Sequence, residues 1–187
     1  MGWGATRRRA SNACVARCPP GLPYGDDMDP ELHPDVAVLA PLLGTWEGSG
    51  TGEYPTIDGF SYTESITFSH VGKAFLAYTQ RTRHPDSALP MHAESGYLRV
   101  PVPGSIEIVM AQPTGLTEIY EGAVVGGDAP LVIDVRSTSI GSTSSAKEVT
   151  TTERTISVAG DELQYTFRMA AVGQPLQHHL AASLRRI

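Results

Sequence analysis

Polar and apolar residues alternate through most of this 187-residue chain, in short runs separated by turn residues. Phe60, Tyr62, Ile66 and Phe68 alternate with Ser61, Thr63, Ser65 and Thr67, the two-residue period of a half-buried strand. Runs at 75–83, 92–100, 106–112, 116–125, 131–140, 147–158, 162–171 and 176–186 read as further strands. Turn chemistry separates them: Val71-Gly72-Lys73, Pro101-Val102-Pro103-Gly104, Pro113-Thr114-Gly115 and the hairpin signal Ala159-Gly160-Asp161. Ahead of the strands, Val36 to Leu43 follows the helix-start residues Asp29-Pro30-Glu31 and His33-Pro34-Asp35, and predicts one short helix or turn.

The first strand departs from this pattern. Gly44, Gly48, Gly50 and Gly52 punctuate the run Gly44-Thr45-Trp46-Glu47-Gly48-Ser49-Gly50-Thr51-Gly52-Glu53-Tyr54-Pro55-Thr56-Ile57. Glycines two apart share one face of a strand and leave room there for a backbone, a bend or a ligand. No Gly-Lys-Ser/Thr follows, so the run is not a phosphate loop, and no helix follows to make it a dinucleotide fingerprint. About ten strands joined by short turns, with no crossover helices, predict antiparallel pairing. An up-and-down barrel, which removes sheet edges and can enclose a ligand, fits this pattern, with a β-sandwich as the alternative.

A chain of this length makes one domain the natural expectation. The formal net charge of −6 argues against a nucleic-acid partner. Residues 1–27 nevertheless carry a net of +2, leaving −8 for the rest. They offer no strand period, and we expect a disordered, dispensable leader, with residues 28–187 as the folded domain and Met28 as a plausible true start. Cys14 and Cys18, both in that leader, are too few for a convincing zinc site, and the absence of cysteine elsewhere suits a cytoplasmic protein. No apolar stretch is long enough to be a membrane helix. Serine-hydrolase elbows, H-E-x-x-H and clustered carboxylates at a useful spacing are all missing from the linear sequence.

The glycine run strongly resembles the opening strand of nitrobindins, small haem-binding β-barrels with the signature G-x-W-x-G-x-G-x-Y-P-T-I, slightly varied. The resemblance spans about residues 35–187. It implies an all-β fold, an antiparallel up-and-down barrel of about ten strands with a short N-terminal helix, laid out like fatty-acid-binding proteins and lipocalins. It also implies one haem b per chain, bound through histidine.

His178 and His179 are neighbours in the final strand, so alternation sends them to opposite faces. His178 shares a face with Leu176, Leu180, Ala182 and Leu184, and His179 with Gln177, Ala181, Ser183 and Arg185. A solid barrel would turn the leucines inward. One hollowed for a large ring could turn Ala181 and Ser183 inward, and parity does not choose. The resemblance does: Pro175-Leu176-Gln177-His178-His179-Leu180-Ala181-Ala182-Ser183-Leu184 matches the family's terminal strand and places the proximal iron ligand at His179. The same resemblance puts His92, in Met91-His92-Ala93-Glu94-Ser95-Gly96-Tyr97, near the distal side and Lys147 beside a haem propionate. Thr63, and secondarily Thr56, could offer a cavity-facing hydroxyl. His70 reads as a turn residue, His33 and His84 as solvated, and Met110 and Met169 as core filler.

The resemblance implies isomerisation of peroxynitrite to nitrate on a ferric haem iron, together with binding of nitric oxide. The rival is a barrel that carries a fatty acid or another apolar ligand without chemistry. Such a carrier would be expected to hold an inward arginine pair, and none stands out in the alternation. Oligomeric state is left open, a homodimer included.

Overall fold

The computed structural model describes residues 30–127 and 130–187, so the expected leader and its two cysteines lie outside the described residues. Ten antiparallel strands follow a 3-10 helix, Pro34–Leu42. They are β1 (Gly44–Tyr54), β2 (Ile57–Ser69), β3 (Leu76–Arg83), β4 (Pro90–Arg99) and β5 (Ser105–Gln112), then β6 (Leu116–Val125), β7 (Leu131–Ser142), β8 (Val149–Ala159), β9 (Glu162–Ala171) and β10 (Gln177–Arg186). Each pairs with its sequence neighbours, and β1 pairs with β10 to close the barrel. Closure excludes the sandwich and leaves no unpaired edge among these strands.

The two ends of the barrel differ. The 3-10 helix buries Val36, Leu39 and Leu42 completely at the end where β1 begins and β10 finishes. Trp46, also fully buried, donates its indole N–H to the Leu42 carbonyl at 2.7 Å. Arg186 of β10 lies 4.2 Å over the Trp46 ring and donates to the carbonyls of Pro41 and Leu43. These contacts tie the helix to both closing strands. The other end, where β1 finishes and β10 starts, carries the turns at 55–56, 84–89, 113–115, 143–148 and 172–176. None of these is helical, and we call this end the mouth.

The row of glycines on β1 is what lets the strands close so tightly. A Cβ on Gly48 would strike the backbone of Ser183 and Leu184 on β10. On Gly50 it would enter the Tyr62 ring, and on Gly52 it would meet Phe60 and Leu180. The glycine face is therefore filled by a neighbouring strand and by aromatic rings from β2.

Gly50→Val should displace Tyr62 from the interior. We expect a loss of roughly 1–3 kcal/mol in urea unfolding, the usual cost of overpacking a filled core. An unchanged midpoint would show that the Tyr62 ring can step aside freely.

Candidate functional site

The site begins with an irregularity in β10. Gln177 and His178 pair with Met169 and Arg168, but Leu180 then pairs with Phe167, so His179 is an extra residue in the strand. A bulge of this kind lets consecutive side chains turn toward the same face. His178 is exposed, whereas His179 is half-buried beside Tyr54, Phe60 and Phe167, with ring centroids 5.2, 6.4 and 6.0 Å away. Beyond the bulge the leucine face points inward: Ala182 and Leu184 are buried, and Leu180 packs against the core. Ala181 and Ser183 line a shallow outer groove with Ser49, Thr51 and Thr166. The expectation that an inward His179 requires an inward small-residue face is corrected: the bulge breaks the alternation that linked them.

The His179 ring is fixed by β1. Its Nδ1 lies 2.9 Å from the carbonyl oxygen of Glu53, itself at an irregular register between Gly52 and Tyr54. A carbonyl can only accept, so Nδ1 carries the proton and Nε2 keeps its lone pair. Burial favours the neutral ring and pulls the His179 pKa below its ordinary value, outweighing the Glu53 bond, which acts the other way. Tyr54 braces the same corner. Its hydroxyl accepts the Ala171 N–H at 2.8 Å and faces the carbonyls of Ala171 and Met169, joining β1 to the end of β9. A neutral imidazole with one oriented nitrogen and one available nitrogen is the donor that an iron porphyrin takes.

The other expected site residues are distributed unevenly. His92 is half-buried near the mouth, its Nε2 3.6 Å from Oε1 of Glu94. Lys147 is exposed in the β7–β8 turn and Thr56 in the β1–β2 turn, both at the mouth end. Thr63 is not brought to the interior. Tyr62 and Glu64 on either side are buried, so alternation turns Thr63 outward, its hydroxyl 3.4 Å from the Arg83 carbonyl.

Deeper in the barrel the structure assembles a cluster that the linear sequence hid. Glu64, Glu94 and Glu118 are all buried, with Arg154 as the buried cation. Arg154 makes a two-pronged bond to Glu94, at 2.9 and 2.6 Å, and stacks 4.6 Å over Phe167. Glu118 accepts from Tyr120 and Thr152, each at 2.8 Å, and from Gln112. Glu64 accepts from Gln80 and faces the Tyr165 hydroxyl at 3.1 and 3.0 Å. Burial opposes ionisation of Glu94, but Arg154 and His92 outweigh it and hold its pKa at about 2. Among the described residues no guanidinium touches Glu64, and burial pushes it up to about 7 despite the Gln80 and Tyr165 bonds. The expectation that carboxylates do not cluster is thus corrected: residues far apart in sequence meet across the barrel. One signal was available, since Glu64 lies between Tyr62 and Ile66, and Glu118 between Leu116 and Tyr120, each in a slot on the apolar face of its strand.

The family described as the THAP4-like, heme-binding beta-barrel domain matches residues 35–186. The chain belongs to that family. It is 58% identical over 155 residues to a peroxynitrite isomerase of Nocardia farcinica, covering 83% of this chain and 92% of that protein. Identity is 59% over 163 residues to peroxynitrite isomerase 1 of Mycolicibacterium paratuberculosis, covering 85% and 99%. The crystal structure of Rv2717c from M. tuberculosis superposes with a TM-score of 0.82 at 48% identity, covering 84% of this chain and 99% of that one. As a member of a haem-binding family, the chain presents at its mouth an imidazole with a free nitrogen and aromatic walls, which fit the cofactor.

The two buried acids predict opposite pH limbs. Glu64 binds a proton more tightly folded than unfolded, so stability falls as pH rises from its ordinary 4.5 through about 7. Glu94 is held down, so its contribution is present above 4.5 and is lost as pH falls toward 2. Glu64→Gln should flatten the first limb in urea midpoints taken between about pH 5 and 8, leaving the acid limb in place. A slope identical to the parent's would mean that Glu64 does not titrate there.

Proposed function

We propose that the chain binds one haem b at the mouth of the barrel through His179 and isomerises peroxynitrite to nitrate. The observation that carries this reading is the His179 geometry: a half-buried neutral imidazole, Nδ1–H held by Glu53 and Nε2 unengaged by the described residues. When bound, ferric haem supplies a Lewis-acidic iron for the peroxynitrite oxygens. The chain's own part is to orient the ligand nitrogen, wall the ring with Phe60, Tyr54 and Phe167, and leave the opposite end sealed by the 3-10 helix. The buried carboxylate–arginine cluster fills the barrel centre, which keeps a large flat ligand near the mouth. On this reading His92, on a strand four positions round the barrel from β10, faces small ligands from the far wall; its half-buried ring 3.6 Å from Glu94 supports this. Lys147, exposed at the mouth end, is suited to a propionate at the solvent edge. Binding of nitric oxide and a cytoplasmic location belong to the same reading; among the described residues no helix is long and apolar enough to cross a membrane.

The apolar-carrier alternative gains no support from the interior. One inward arginine, not a pair, is found among the described residues, and both prongs of Arg154 are engaged by Glu94.

His179→Ala should leave a folded barrel and weaken haem binding by about 10–100-fold or more, since even residues that merely orient a ligand cost that much. His178→Ala, an exposed position, should leave the Soret band and the rate of peroxynitrite decay unchanged. Added imidazole should restore ligation in the His179→Ala pocket. Full haem affinity in His179→Ala, with loss in His178→Ala, would contradict the assignment.

A further inference from the structure

Four tyrosines, Tyr62, Tyr78, Tyr120 and Tyr165, are buried inside the barrel, and two of them share a hydrogen bond. The Tyr62 and Tyr165 hydroxyls are 2.8 Å apart, and Tyr165 in turn faces both oxygens of Glu64 at 3.1 and 3.0 Å. Glu64, 4% exposed, has only Gln80 as its other hydrogen-bonding side chain among the described residues. The haem site proposed above uses none of these groups. We propose that Tyr165 and Glu64 form a buried one-electron donor site, in which Tyr165 gives an electron to an oxidising radical while its phenolic proton passes to Glu64.

The step balances within the cluster. A one-electron oxidant, of which nitrogen dioxide is one example, takes the electron and is reduced to its anion. The Tyr165 O–H bond breaks, an O–H bond forms on the Glu64 carboxylate, and Tyr165 is left as a neutral phenoxyl radical. Burial makes every charged form of the phenol expensive, both the phenolate and the radical cation. Burial and the adjacent Glu64 indeed push the Tyr165 pKa well above its ordinary value, so loss of the proton alone is blocked. Joint loss of proton and electron avoids both charged forms.

Two features of the surroundings favour the product. Among the described residues the interior holds three carboxyl groups against one guanidinium, so neutralising Glu64 removes a buried negative charge that none of their cations touches. The lifted pKa of Glu64, about 7, also makes it a better proton acceptor than an ordinary carboxylate.

The test is pulse radiolysis of the full chain with azidyl radical as oxidant, following tyrosyl radical by absorbance and EPR in light and heavy water. The parent should show a long-lived tyrosyl population whose formation slows in heavy water. Tyr165→Phe should remove that population, and Tyr62→Phe, which spares the Tyr165–Glu64 contact, should keep it. Glu64→Gln preserves size but cannot take a proton, and should slow formation by about tenfold or more while abolishing the heavy-water effect. If Tyr165→Phe fails to fold, judged by near-ultraviolet circular dichroism, Glu64→Gln decides the matter alone. A long-lived radical that survives in Tyr165→Phe, or disappears in Tyr62→Phe, overturns the assignment. So does a Glu64→Gln protein that matches the parent in rate and isotope effect.

Discussion

Closure of β1 on β10 is the constraint from which the rest of the structure follows. The two strands run antiparallel from Trp46 opposite Arg186 to Gly52 opposite Leu180. At that seam β1 presents glycine to the interior, and β10 can approach because no side chain stands between the backbones. The same seam determines both ends of the barrel. At one end it brings Arg186 over Trp46 and fastens the 3-10 helix. At the other it carries the Glu53 carbonyl to the His179 ring. A loosened seam would unseat the plug and release the imidazole together.

Inside, the barrel trades apolar packing for a polar cluster. Ionising buried groups costs free energy unless they are paired and hydrogen-bonded, and Arg154 with Glu94 meets that condition. Glu64 meets it poorly, which is why its pKa rises and why its neighbourhood is the part of the core most open to proton chemistry. The contrast between the two acids comes from placement alone: one lies against a guanidinium and the other against an amide and a phenol.

Most of the fold was legible in the sequence. The two-residue period located nine of the ten strands to within a few residues, because alternation in an antiparallel barrel reports directly which face is buried, and the glycine run marked β1. The helix before β1 was visible from its proline-rich start. Parity failed at His179, since a one-residue bulge leaves no mark in the spacing of apolar residues yet reverses the face that follows. Thr63 went astray for the opposite reason: strict alternation did hold there, and it pointed the hydroxyl outward between buried Tyr62 and Glu64. The carboxylate cluster was hidden because its members come from β2, β4, β6 and β8, so only the closed register brings them together. Glu64 and Glu118, each on an apolar face, were the clue, and their meaning depends on partners that spacing cannot name.

The bulge turns His179 into the mouth, and the Glu53 carbonyl fixes its tautomer. Nitrogen-15 NMR of the imidazole rings in the full chain without added haem tests both directly. We expect a His179 ring protonated at Nδ1, with a slowly exchanging proton there and an unprotonated Nε2, beside a His178 ring that exchanges freely between tautomers. A His179 ring protonated at Nε2, or averaging like His178, would show that Glu53 does not hold it.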